Sequence, residues 1–272
     1  YTLTEGPTIY LATDIDKIAK FCIQQANIPA AVMTDILESI EFNNRVNDKI
    51  EKLQKDLEDS LPKEKQGADA GGGKKGGGEK TKKIDRALES SQSAKIKKDL
   101  EVYQGMIKVA QLNDTFIPNK PSHLKKWADA MNATSAFASS ISEDIIVKIM
   151  MLNDVADSWK ILLMMGIGVF TNHTSIAYTE IMKSLADEQK LYLIIASSDY
   201  VYGTNYQFCH GYISKDMNLT QEKIIQAMGR VGRNGVQQEY TIRFREDSHI
   251  TKLFTAEAEK PEVLNMNRLF SA

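Results

Sequence analysis

Five short strand-like runs, separated by helical stretches, limit this chain to one kind of layered fold. The runs are 7–13 (PTIYLAT), 167–171, 191–196 (LYLIIA), 210–214 and 239–245, all rich in strand formers. Thr13 and Asp14 follow the first run as an N-cap, and Ile15, Ile18, Ala19, Cys22 and Ile23 continue at helical spacing. Ile176 to Asp187 reads as a second helix, and Thr220 caps a third that ends near Met228. Strands alternating with helices predict an α/β fold with a mostly parallel sheet and helices on both faces.

The alternation is interrupted. Between residues 30 and 159 the pattern is helical, with one apolar stripe through Val32, Met33, Ile36, Leu37, Ile40, Val46, Ile50, Leu53 and Leu57. A second stripe runs through Ile84, Leu88, Ile96, Leu100, Tyr103 and Ile107. Between them lies GGGKKGGGEKTKK, which holds six of the 16 glycines and cannot pack a core. Two amphipathic helices joined by a flexible connector at about 61–83 predict an antiparallel hairpin. The organisation expected is therefore a discontinuous α/β lobe over 1–29 and 160–255, a helical insertion over 30–159, and a tail over 256–272. Ser122 and Ser142 are the expected caps of two further helices in the insertion.

Charge follows the same division. The total is −2, but residues 45–130 carry 19 basic and 14 acidic groups, so a basic segment sits inside an acidic remainder. That near-balance excludes a polybasic protein whose whole surface grips nucleic acid, though not a local basic groove. Two cysteines, Cys22 and Cys209, exclude a disulfide framework and a Cys-rich zinc module, and suit a reducing, intracellular setting. The longest apolar run, Ile161 to Phe170, is too short to span a bilayer, and no secretory leader is visible. His123, His173, His210 and His249 are dispersed without metal-ligand spacing, and are expected at the surface or at strand ends. Trp127, Trp159 and the Met150-Met151 and Met164-Met165 pairs fall on helical stripes and are expected in the core.

The most specific string is Gln226-Ala-Met-Gly-Arg-Val-Gly-Arg233. Two arginines three residues apart, each preceded by glycine, place permanently charged forks that match phosphate oxygens on one side of a turn. An Arg/Gly surface turn making ordinary ion pairs is the alternative for such a string in isolation. Upstream, LYLIIASSDYVYGTNY runs from a buried strand into a polar loop at that strand's carboxyl end, where open α/β sheets bind ligands.

Together these strings resemble motifs VI and V of the second, C-terminal RecA-like lobe of superfamily 2 helicases, of the DExH type. PTIYLAT resembles motif IV, and Met165-Gly-Ile-Gly-Val-Phe170 resembles the GIGV strand that precedes motif V. The resemblance covers 1–28 and about 160–250. The tyrosine-rich loop is also similar to helicase-like proteins of large DNA viruses. The fold implied is a RecA-like, P-loop NTPase-type sheet interrupted by the helical hairpin.

The resemblance implies that Arg230 and Arg233 reach the γ-phosphate of ATP, with Gln226 oriented toward the phosphate or the attacking water. It gives Gly203, Asn205 and Gly229 a part in nucleotide binding and coupling. It gives Ser197, Ser198 and Thr171 a part in holding the RNA or DNA backbone. A local strand-end hydrogen bond is the alternative for the two serines. Phe170-Thr-Asn-His173 departs from the family's usual His-His-Ala-Gly. No GxxxxGK[ST] is present, Gly78-Glu-Lys-Thr81 being misspaced, and Asp187-Glu188 follows a helix rather than a buried strand. ATP and Mg²⁺ are thus expected to be held mainly by an N-terminal lobe outside this chain, leaving this fragment inactive alone. A non-catalytic binding or scaffold module, with the hairpin docking a protein or nucleic acid, and the lobe of a non-unwinding translocase are the rival readings.

Overall fold

The structure is a computed structural model that describes residues 6–60, 93–110, 112–127, 136–171, 175–201, 206–232, 240–255 and 260–270. Its described residues divide into two compact units.

The first unit, 1–29, 111–145 and 154–272, contains a five-stranded sheet. The strands are β1 (Thr8–Leu11), β2 (Ile167–Phe170), β3 (Leu193–Ala196), β4 (His210–Ile213) and β5 (Thr241–Phe244), in spatial order β2-β3-β1-β4-β5. All four pairings are parallel, so the mostly parallel sheet of the sequence reading is wholly parallel. The first strand of the chain takes the central position, with Ile9 registered against Ile194 on one side and Gly211 on the other.

Helices follow the strands as the alternation predicts. α1 (Ile15–Ala26) leaves β1 through Asp14, whose carboxylate accepts the Lys17 N–H at 3.0 Å. α6 (Asp157–Met164) leads into β2, α7 (Ile176–Asp187) joins β2 to β3, and α8 (Gln221–Met228) joins β4 to β5 behind a Thr220 cap. α9 (Asp247–Phe254) and α10 (Pro261–Phe270) close the chain. α1 and α6 pack on each other and over β3 and β2. Right-handed crossovers send that β1-to-β2 connection to the face opposite α7 and α8. Both faces of β2 and β3 are consequently covered, and Val169 and Ile195 are fully buried.

Local chemistry shows why β2 lies where it does. Gly166, between α6 and β2, has φ +83°, and a Cβ there would stand 1.7 Å from the Ser139 Oγ. The Ser139 hydroxyl and the Gly166 carbonyl both accept the Tyr192 N–H, at 3.1 and 2.8 Å. At the next turn of packing, the fully buried Tyr178 of α7 offers its hydroxyl oxygen to the Val169 N–H at 2.9 Å. Among the described residues β2 is an edge strand, so this bond pairs a backbone donor that has no neighbouring strand there. Burial pushes the Tyr178 phenol well above its ordinary value against the opposing effect of that hydrogen bond.

The second unit, 30–110 and 146–153, is helical. α2 (Ala30–Ser60) packs against α3, described over 93–105. Val46, Ile50 and Leu100 form the buried seam, flanked by Phe42, Leu53, Leu57, Ile96, Tyr103 and Ile107. Asn43 exchanges hydrogen bonds with the Lys108 backbone, while Lys49 sits over the Tyr103 ring. Rising numbers on α2 thus meet falling numbers beyond and along α3, which makes the pair antiparallel as its stripes predict. The glycine-rich connector lies outside the described residues.

α4 (Pro121–Trp127) and α5 (Glu143–Met150) complete the fold. α4 starts on Pro121, so Ser122 lies inside the first turn rather than capping it. Ser142 does precede α5, and its carbonyl accepts the Ile145 N–H. Trp127 is 41% exposed, contrary to expectation, because a seven-residue helix offers too short a stripe to bury an indole at its end. Met150, Met164 and Met165 are buried as expected. Among the described residues no helix is long and apolar enough to cross a membrane.

Candidate functional site

In a parallel sheet every strand ends on the same edge, and the structure uses that edge to gather polar residues. Thr171 follows β2, Ser197 and Ser198 follow β3, and Thr13 and Asp14 follow β1. The ends are knitted by backbone bonds from Ala12 to Ala196, from Ser214 to Leu11 and from Arg245 to Ile213. Asp216, in the loop after β4, accepts the Asp14 N–H at 3.3 Å, and its carbonyl accepts the Thr13 hydroxyl at 3.0 Å. Burial alone would raise the Asp216 pKa. Hydrogen bonds from the Ser214 hydroxyl and from backbone groups of Asp14, Asp216 and Thr13 outweigh that and hold it below the ordinary aspartate value. The sequence reading did not single out Asp216.

Ser197 and Ser198 are half-buried, and Ser198 opens a 3-10 turn, Ser198–Val201, that packs against α8. α8 carries Gln226 on its exposed side and ends at Gly229. Arg230 comes next, in the turn that follows the helix, its N–H donating to the Ala227 carbonyl. The Arg230 carbonyl accepts the Phe208 N–H at 3.2 Å, and Phe208 forms a parallel bridge with Val231 just before β4 begins. Arg230 therefore lies at the edge where β4 starts. Ser197, Ser198 and Thr171 lie at the other edge, about 13 Å away at the rise of a four-residue strand. The candidate residues form two groups, and α8 with its 3-10 turn connects them.

The two glycines of the arginine string behave differently. Gly232 has φ +82°, which favours glycine, and its α-carbon faces the Tyr240 ring. Gly229 has φ −65° and ψ −4°, and a Cβ there would meet nothing nearer than 3.5 Å. The tight turn thus requires Gly232 and not Gly229. Arg233, Gly203 and Asn205 lie outside the described residues. Tyr206, after the loop, has its phenol pushed up to about 12 by burial and by the nearby Asp187 carboxylate.

Histidines and cysteines are structural among the described residues. His123, His210 and His249 are all buried, the first and last in helices rather than at the surface or a strand end as expected. His123 Nδ1 accepts the Asn119 N–H, His249 Nε2 contacts the Met217 carbonyl at 2.7 Å, and His210 Nδ1 pairs with the Thr241 hydroxyl at 2.8 Å. Burial pushes the Cys22 thiol up to about 11 and raises that of Cys209. No group of three or more His, Cys, Asp or Glu among the described residues could hold a metal ion.

One feature of the strand-end edge has no counterpart in the sequence reading. A cavity of about 350 Å³ opens between the first turns of α1, α6 and α7, lined by Asp16, Lys20, Asp154, Ser158, Trp159 and Ser175 among others. Trp159 is half-buried there, its ring 6.2 Å from that of Tyr178, rather than enclosed in the core. No protein-family model matches the chain, and no curated protein matches it.

Proposed function

We propose that this chain is the second RecA-like lobe of an ATP-dependent nucleic-acid helicase or translocase. The observation that carries the reading is the two-ended arrangement around α8. A helix that ends in a phosphate-matching arginine at one sheet edge packs against a serine-bearing turn from the other edge. A motor needs that separation: one group to sense nucleotide, another to hold a backbone, and a rigid element between them.

Arg230 and Arg233 would meet the phosphates of ATP, and Gln226 would lie beside them. ATP supplies the free energy of its hydrolysis when bound. On this reading a first lobe would supply the P-loop and most of the Mg²⁺ ligands, and this lobe would supply the arginines. Ser197, Ser198 and Thr171 suit hydroxyl and backbone N–H contacts to phosphate oxygens, which position a strand without reading its sequence.

Arg233→Ala and Arg230→Ala, made in the full-length protein, test the reading. ATP turnover should fall by about a thousandfold for the arginine that acts as the finger. Hydrolysis unchanged in both variants would overturn the motor and leave a binding module.

A further inference from the structure

The cavity at the openings of α1, α6 and α7 takes no part in the scheme above, yet its lining is chemically coherent. The geometry points to a pocket for a single nucleobase that carries an exocyclic amino group, with its phosphate on the lysine side.

The indole and each polar lining group have a use for that ligand. The Trp159 indole supplies a stacking wall, which any base can use. Asp16 and Asp154 are acceptors only, so they require donors, and cytosine, adenine and guanine present amino groups where uracil presents a carbonyl oxygen. Among the described residues neither carboxylate joins an ion pair, whereas the neighbouring Asp157 is engaged by the buried Lys160 at 3.0 Å. Lys20, one turn after Asp16 and likewise in no ion pair among the described residues, supplies the cation for a phosphate. The Ser158 hydroxyl lies on the same rim, and Ser175 accepts the Tyr178 N–H, which leaves its own proton to donate.

Other ligands fit less of the lining. A simple organic cation would use the indole and carboxylates but face Lys20, and an inorganic anion would face two carboxylates. A volume of about 350 Å³ lies within the range of small-ligand pockets. The base can come from a free nucleotide or from a strand crossing the edge where Thr171 and Ser197 lie. Only the second source rests on the proposed function.

In the 272-residue chain, Trp127→Phe leaves Trp159 as the sole tryptophan, so its fluorescence reports the pocket directly. Titration with CMP or GMP should give saturable quenching, at least about tenfold tighter than UMP. Asp16→Ala and Asp154→Ala, both at exposed positions, should erase the CMP preference without changing the circular-dichroism melt. Octacytidylate binding tenfold tighter than CMP would identify a strand as the source, and equal affinity would identify the free nucleotide. The pocket is refuted by the absence of saturation with all of these probes, by equal binding of CMP and UMP, or by stronger quenching from arginine amide. Loss of ATP turnover in the arginine variants is unaffected by any of these results, so the two readings fail separately.

Discussion

Gly166→Ala should be among the most damaging single-methyl changes available to the sheet unit. The new Cβ would have to occupy a backbone with φ +83°, which costs an L-residue about 1–2 kcal/mol. It would also be placed 1.7 Å from the Oγ and 2.3 Å from the Cβ of Ser139, a residue that is itself buried. Relief by displacement costs about 1–3 kcal/mol in a packed interior. Together these give a loss of about 2–5 kcal/mol. Because the chain has two units, a single whole-chain midpoint is not a defined quantity. Urea unfolding should therefore be followed by Trp159 fluorescence in the Trp127→Phe background, which reports the sheet unit. The mechanism has a specific signature. Ser139→Gly removes both clashing atoms, so the Gly166→Ala penalty should shrink by at least about 1 kcal/mol in that background while the φ cost remains. Ser139→Ala leaves the Cβ in place and should rescue far less. A penalty below about 1 kcal/mol, or one equal in both backgrounds, would refute the reasoning.

The hydroxyl of Tyr178 and the carboxylate of Asp216 provide two further tests. Tyr178→Phe keeps the ring and removes only the acceptor of the buried Val169 N–H, so the same unfolding assay should show a loss of about 1–3 kcal/mol; no loss would mean that the edge strand is satisfied another way. Asp216 has a folded pKa below the ordinary 3.8, so its contribution is present above that value and is lost as pH falls through the lowered one. Asp216→Asn should be less stable than wild type at pH 6, and the gap should close in acid below pH 3.8; a gap independent of pH would count against the hydrogen-bonded carboxylate.

What the sequence revealed follows from how local each determinant is. The Asp14 and Thr220 caps bind backbone groups three residues away, and both were legible. The α2–α3 seam was legible because 3.6-residue periodicity is a property of each helix before it meets the other. Strand order was not, since nothing within 8–11 says that it will have a neighbour on each side. The contact of Ser139 with Gly166 was invisible for a similar reason: 136–142 has no regular period, and its role appears only when β2 is in place. The cavity draws on three segments, and Trp159 reads as core until its surroundings are known. Ser197, Ser198 and Arg230 stand at element ends, but their division between two edges required the register of Phe208 with Val231.

The central place of β1 sets the timing of folding. Thr8 is registered against Leu193 and His210, so this strand must wait for about 185 residues before either neighbour exists. Long loops of that kind slow folding, because closure entropy is lost before any pairing compensates for it. The α2–α3 pair, held by contacts between nearer residues, can order while that wait continues, and once ordered it shortens the chain that must be closed. The sheet is then a late event during synthesis, and a ribosome stalled before residue 193 holds a β1 strand with both of its hydrogen-bonding edges open.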